Sequence, residues 1–214
     1  MTSDGFEART ESVPSLPGRL WLWLRNGARE LRHLPDRLLH PRRRSLARRR
    51  LAASAPFQSA LFICHGNVCR SPYAAATFER LTRDGGGRVD VGSAGFIGPG
   101  RQPPPAALAA AARRDIDMQA HRSQLIAPDR LAKADLIVVM SVEQDSALRT
   151  QHGVGRGTLL ILGDLDPEPI TRRTVRDPWG SDDRIFDESY ARIDRCIREL
   201  ARLHAAGAAT RSQR

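Results

Sequence analysis

The residues whose types and spacing bear most directly on chemistry are Cys64 and Arg70, separated by five residues and followed at once by Ser71 and Pro72. A thiolate is a strong nucleophile, and a guanidinium can grip two oxygens of a tetrahedral oxyanion in a fork that lysine does not reproduce. Between them stand Gly66 and Asn67, the residue types that most easily adopt positive φ. A turn of that kind points successive backbone N–H groups inward as an anion-binding nest. Ser71 reads as a helix N-cap and Pro72 as the first helical residue, where the missing N–H is harmless. The nest then lies at the positive end of a helix dipole. The inward N–H groups, the dipole and Arg70 all favour thiolate over thiol at Cys64. Beneath a cradled phosphate, that thiolate is placed to attack phosphorus and form a phosphocysteine.

Other readings of these residues are weaker. A lone cysteine at the end of an apolar strand is usually an inert core residue. Cys64 and Cys69 could begin a zinc site, but only Cys196 and scattered histidines remain as ligands, without the usual spacing. The Gly-x4-Gly-Lys-Ser/Thr pattern of an ATP-binding loop is absent. Phosphoryl transfer also needs an acid to protonate the leaving oxygen and a base to activate water, and one carboxylate can serve both steps. Two Asp-Pro pairs, at Asp166 and Asp177, stand in the late loop. Residue chemistry does not choose between them, and either is equally a turn residue.

The elements that position these residues alternate. Ala60 to Ile63 is a short apolar run of the kind a central parallel strand shows. A helix over 72–82 follows, its small face (Ala74, Ala75, Ala76) suited to close packing on a sheet, and Gly85-Gly86-Gly87 ends it. Val89 to Val91 gives a second strand, leading into Ser93-Ala94-Gly95, and Pro103-Pro104-Pro105 opens a helix over 106–114. Asp135 to Met140 is the clearest buried strand; a helix over 142–150 and a fourth strand, Thr158 to Leu162, come next. Residues 163–182 are rich in Asp, Pro and Gly and read as loop, before an amphipathic helix from Asp183 to His204 and a polar tail over 206–214. Strands alternating with helices predict an α/β, three-layer fold with a central four-stranded parallel sheet and right-handed crossovers. Its ligand belongs where strand ends meet helix starts, which is where Cys64 lies.

At 214 residues the chain fits one ordinary domain plus an extension. Three cysteines, an odd number, suggest a reducing compartment such as the cytoplasm rather than a disulfide framework. No apolar run approaches the ~20 residues that span a bilayer. The net charge of +10 is uneven, because residues 1–56 hold 12 Arg against 5 acidic residues. The basicity therefore belongs to an N-terminal extension, and the domain proper begins near Phe57. Residues 1–18 read as a disordered tip. Over 19–34, Leu20, Leu24, Ala28, Leu31 and Leu34 form one apolar stripe at helical spacing, flanked by Trp21, Trp23 and arginines. That pattern suits a helix lying on an anionic membrane surface, packed on the domain or on a partner, or left as a solvated tail. Residues 41–50 read as a charged linker; without interleaved aromatics, nucleic acid is a poor partner for them.

Cys64-His65-Gly66-Asn67-Val68-Cys69-Arg70-Ser71-Pro72 resembles the signature of the low-molecular-weight protein tyrosine phosphatases, and the resemblance covers nearly all of 57–205. It implies a metal-independent enzyme with no cofactor, acting on a phosphotyrosine protein (a tyrosine kinase being one such partner), with Cys64 as nucleophile and Arg70 as phosphate clamp. Val175-Arg176-Asp177-Pro178-Trp179 resembles the family's acid loop, which assigns the acid and base to Asp177. By the same resemblance Asn67 holds the strained turn and Ser71 donates towards the Cys64 sulfur. Ser93 and His121 support them from behind, and His65, Gly66, Val68 and Cys69 complete the substrate loop. Trp179 would form one wall of the slot for a flat phenol, with His65, Phe96 and Ile97 at its rim. Many members carry two tyrosines after the Asp-Pro; here Trp179-Gly180 stands instead. Relatives acting on phosphoarginine have Thr at the position of Val68, so Val68 points to phosphotyrosine. Cys69 is either a partner for a reversible disulfide with Cys64 or a buried loop residue. Arsenate reductases share the loop but relay electrons through two further cysteines, and none lies between Cys69 and Cys196. A module that binds phosphotyrosine without turning it over is the reading from another class.

Overall fold

The structure, a computed structural model, describes the backbone of residues 16–86 and 88–212 and the side chains of 33–86 and 88–210. The reading of residues 1–18 as a tip lies largely outside the described residues, as do the side chains of Leu20, Leu24, Ala28 and Leu31. The chain divides into two compact units, Met1–Pro35 and Asp36–Arg214. The second carries the sheet.

Four strands, β1 (Ser59–Cys64), β2 (Asp90–Gly95), β3 (Leu136–Val139) and β4 (Leu159–Ile161), pair in parallel in the order β2-β1-β3-β4. β1 is central, with Cys64 opposite Gly95 on one side and Ile63 opposite Val139 on the other. Alternate residues of each strand face opposite layers. Ala60, Phe62 and Cys64 pack with Val138 and Leu160 beneath α2 (Arg70–Asp84), α3 (Pro105–Ala112) and α6 (Asp183–Ser212). Leu61, Ile63, Ile137, Val139, Leu159 and Ile161 face the other way, onto Leu131 of α4 (Pro128–Lys133) and Leu148 of α5 (Val142–His152). Both faces are covered, which is why β1 and β3 read as continuous apolar runs.

Four local expectations differ from what is observed. Ser71 is not a side-chain cap: α2 begins at Arg70 behind Cys69, and the Ser71 hydroxyl is directed to a sulfur instead. Inside the segment read as loop lies a 3₁₀ turn, Leu162–Leu165. α6 continues to Ser212, through the Ala-rich stretch read as a polar tail, because alanine is the strongest helix former. Residues 41–50, read as a charged linker, belong to a helix, α1 (Leu16–Ser54).

Within the second unit, residues 36–54 of α1 pack on the domain. Ala47 and Leu51 join the core beside α6, and His40 Nε2 donates to the backbone oxygen of Asp166 at 2.9 Å. Arg44 and Arg48 both reach Glu199. The arginines that suggested a linker instead flank a buried stripe of small and apolar residues.

Candidate active site

β1 ends at Cys64 and α2 starts at Arg70, so the five residues between them close a loop over the end of the central strand. Asn67 supplies its left-handed residue, at φ 51°, while Gly66 keeps a negative-side conformation. The turn is tied down on every side of Asn67, which is fully buried. Its Nδ2 donates to Ser71 Oγ and Ser93 Oγ, both at 2.9 Å, and its Oδ1 accepts from Gln124 N at 2.8 Å. Its backbone oxygen accepts from His121 Nε2 at 2.8 Å. Burial holds the His121 pKa below the usual histidine value, so the ring is neutral with its proton on Nε2, as that bond requires. At the end of β2, a Cβ on Gly95 would stand 2.8 Å from Asn67 N, so only glycine allows the sheet to approach the loop this closely.

Two donors converge on the sulfur. Cys64 Sγ accepts from Asn67 N at 3.2 Å and from Ser71 Oγ at 3.1 Å. Around it opens a cavity of about 310 Å³, lined by Cys64, His65, Gly66, Val68, Cys69, Arg70, Ile97, Arg101, Asp177 and Trp179. That size accommodates a small aromatic ester, at the lower end of ordinary ligand pockets. Burial pushes the Cys69 thiol up to about 12, with charge on Cys64 and Asp177 adding to the effect. Cys69 is therefore a thiol at neutral pH.

Arg70 is buried, and NH1 donates to Val175 O at 3.1 Å while NH2 is paired with Asp177 Oδ2. Its Nε is buried without a partner, a donor that an oxyanion in the pocket would satisfy. The strap carrying Asp177 is anchored on both sides. Val175 N donates to Met140 O at 2.9 Å, and Ser189 Oγ donates to Arg176 O at 2.9 Å. The Asp177 side chain remains 44% exposed at the lip, where a leaving group would exit. Asp166, by contrast, lies outside the pocket lining, 1% exposed, with its carboxylate paired to Arg192 and Arg195. It is a structural anion.

The structure thus gathers Cys64, His65, Gly66, Val68, Cys69, Arg70, Asp177 and Trp179 around one cavity, with Asn67, Ser71, Ser93 and His121 bonded behind it. Phe96 is not at the rim; it packs against the apolar cluster around Ile63, while Ile97 takes the rim position. Arg101 went unnoticed in the sequence. Its one signal is an arginine just after two glycines, Gly98 and Gly100, that turn the chain back through positive φ.

A family model described as low molecular weight phosphotyrosine protein phosphatase matches residues 59–211. The chain belongs to that family. It is 32% identical over 138 residues to a probable low molecular weight protein-tyrosine-phosphatase, EpsP, of Ralstonia nicotianae, an alignment covering 64% of this chain and 89% of that protein. It is 30% identical over 145 residues to a protein-arginine-phosphatase of Bacillus subtilis, covering 66% and 93% respectively. Among solved structures, a mutant of YwlE from Bacillus subtilis superposes with a TM-score of 0.62 at 27% identity, over 68% of this chain and 97% of that one. Residues 1–58, including the packed half of α1, precede the family match.

Proposed function

We propose that this family member hydrolyses phosphotyrosine in proteins through a phosphocysteine. The observation that carries the reading is the pair of donors on Cys64 Sγ, at 3.2 and 3.1 Å, in a pocket lined also by buried Arg70 and by Asp177 at its lip. In the first step the Cys64 thiolate attacks phosphorus in line with the tyrosyl oxygen. As the P–O bond breaks, the protonated Asp177 carboxyl delivers its proton to that oxygen and tyrosine leaves. The loop amides and the Arg70 guanidinium hold the three remaining phosphoryl oxygens, where charge concentrates. In the second step Asp177, now a carboxylate, takes a proton from water as the water oxygen attacks phosphorus. Inorganic phosphate leaves, and the sulfur departs as a thiolate stabilised by the Ser71 hydroxyl and Asn67 N–H.

Tyrosine is favoured over arginine by the pocket's apolar side. Val68 offers no hydroxyl to a guanidinium, and Trp179, 56% exposed, gives a flat ring a surface to stack on. Rapid quenching and mass analysis of Cys64 during turnover of a phosphotyrosine peptide should find the phosphorylated peptide. The same assay with a phosphoarginine peptide should give a kcat/KM at least tenfold lower, rising in Val68→Thr. A higher rate on phosphoarginine would reassign the substrate.

Contact with an anionic bilayer is supported by the outward face of α1, where exposed Leu38, Leu39 and Leu46 alternate with Arg42 and Arg49. A phosphatase held there would meet membrane-bound tyrosine kinases. Leu38→Glu/Leu46→Glu should abolish cosedimentation with vesicles containing phosphatidylserine; equal binding by the double variant and the parent would remove the bilayer from the account.

A further inference from the structure

Apart from Arg70, Arg101 is the one guanidinium lining the pocket among the described residues, and the mechanism above gives it no task. Its Nε donates to Gly98 O at 2.9 Å, and its NH2 donates to Gly66 O at 2.8 Å and Ile97 O at 3.1 Å. Two glycines from separate segments make room for it. A Cβ on Gly66 would stand 2.9 Å from Arg101 NH2, and one on Gly98, at φ +60°, would collide with Nε. The backbone that presents the guanidinium is itself fixed. Arg101 N donates to Ser123 Oγ at 2.9 Å, Ser123 N returns a bond to Arg101 O at 2.9 Å, and Gly100 N donates to Ser123 O at 2.7 Å. Ser123 is buried, and the next residue, Gln124, is the one that holds Asn67 Oδ1.

The Gly66 carbonyl is the other end of the peptide that carries Asn67 N–H. In a planar trans peptide the C=O and N–H point in opposite directions. Gripping the oxygen from outside the loop therefore fixes the hydrogen on the inside, where it faces Cys64 Sγ at 3.2 Å. Rotation of this peptide would remove a donor from the sulfur and turn a carbonyl towards a pocket meant for anions.

We propose that Arg101 is a positioning residue for the phosphoryl transfer: it locks the Gly66–Asn67 peptide with its N–H on the nucleophile and adds a second fixed positive charge beside the phosphate cradle. The inference rests on the reading of Cys64 as nucleophile. The guanidinium lines the same cavity as Cys64 and Cys69, so its charge lies beside the site where an oxyanion would sit.

The test follows the sulfur directly. Full-length wild type, Arg101→Met and Arg101→Lys are treated with iodoacetamide, a neutral reagent that the charge of Arg101 does not steer. Labelling of Cys64 is read by peptide mass at pH 6 and pH 9, alongside kcat/KM for an aryl phosphate and the melting temperature. Arg101→Met should lower both labelling rate and kcat/KM about tenfold at pH 6, with the labelling deficit shrinking at pH 9, where a cysteine of ordinary acidity is mostly thiolate without help. Arg101→Lys keeps the charge, but its ammonium is a single compact group without the planar fork that reaches Gly98 O from Nε and Gly66 O and Ile97 O from NH2, so a loss of about two- to fivefold at pH 6 is expected. Unchanged labelling at pH 6 in a variant that melts like wild type would overturn the proposal and leave Arg101 as a tie within its own loop. Should Arg101→Met not fold, Arg101→Lys decides by the same criterion. Aryl phosphate turnover that survives Cys64→Ser would instead overturn the assignment of the nucleophile itself.

Discussion

Asp177 and Arg70 are bonded to each other across the lip of the pocket, with Arg70 NH2 donating to Asp177 Oδ2. The anion of the acid loop thus occupies part of the guanidinium that an incoming phosphate needs. Asp177→Asn should uncouple binding from turnover. Without the carboxylate charge, inorganic phosphate or vanadate should inhibit several-fold more tightly. Loss of the proton donor and base should lower kcat for a phosphotyrosine peptide by about 10²–10⁴-fold. Steady-state kinetics with phosphate as competitive inhibitor separates the two, and weaker inhibition in Asp177→Asn would refute the competition.

Ser71→Ala removes the hydroxyl 3.1 Å from Cys64 Sγ while leaving Asn67 N in place. The sulfur must leave phosphorus in the second step, so that step should slow about tenfold, the scale of one lost hydrogen bond to a charged group. A burst of phenol release, absent or small in wild type, should appear in stopped-flow traces with an aryl phosphate. A uniform loss without a burst would place the hydroxyl's main effect on the first step.

The loop and its flanking elements were legible because their signals are local. An apolar run, a turn through Asn67 and a helix start, displaced by only two residues from the expected Ser71 cap to Cys69, lie within a dozen residues. The Asp-Pro chemistry of Asp166 and Asp177 is also visible in the sequence, but the difference between them is tertiary. Asp166 is consumed by Arg192 and Arg195 from α6, whereas Asp177 is carried to the pocket by a strap bonded to Met140 and Ser189. Arg101 was invisible for a related reason: its partners are the carbonyls of Gly66, Ile97 and Gly98, which no side-chain pattern announces. The six-residue α4 was too short for a helical period to register. Residues 41–50 misled because their arginines surround a single buried residue, Ala47, while the other two that dock the helix, His40 and Leu51, lie just outside the stretch.

That docking predicts that the second half of α1 is part of the stable domain. Leu51 is 3% exposed in the core cluster. Leu51→Ala should destabilise the protein by about 2–4 kcal/mol in denaturant unfolding, as large-to-small changes in a packed core do. A change under about 0.5 kcal/mol would fit a surface site instead.

Stability should also depend on pH through His204, which sits against Phe57 at 4.6 Å between ring centroids, with Nδ1 buried and unpartnered. Burial holds its pKa below the usual 6.5, and that of His121 likewise. The unfolded chain therefore takes up more protons as pH falls through about 6.5, and stability drops on the acid side of that point. His204→Phe should raise the melting temperature and flatten its decline between pH 7 and 5.5, leaving the His121 contribution. An unaltered slope would show that His204 is not a source of it.

The central claim is that Cys64 is a nucleophile assisted by Asp177. The most direct measurement is the rate of aryl phosphate hydrolysis, in EDTA, by reduced wild type, Cys64→Ser and Asp177→Ala, each shown to be folded. Wild type should turn over, Cys64→Ser should not, and Asp177→Ala should be slower by about 10²-fold or more. A folded, reduced wild type without activity, or a Cys64→Ser variant that retains it, would contradict the account.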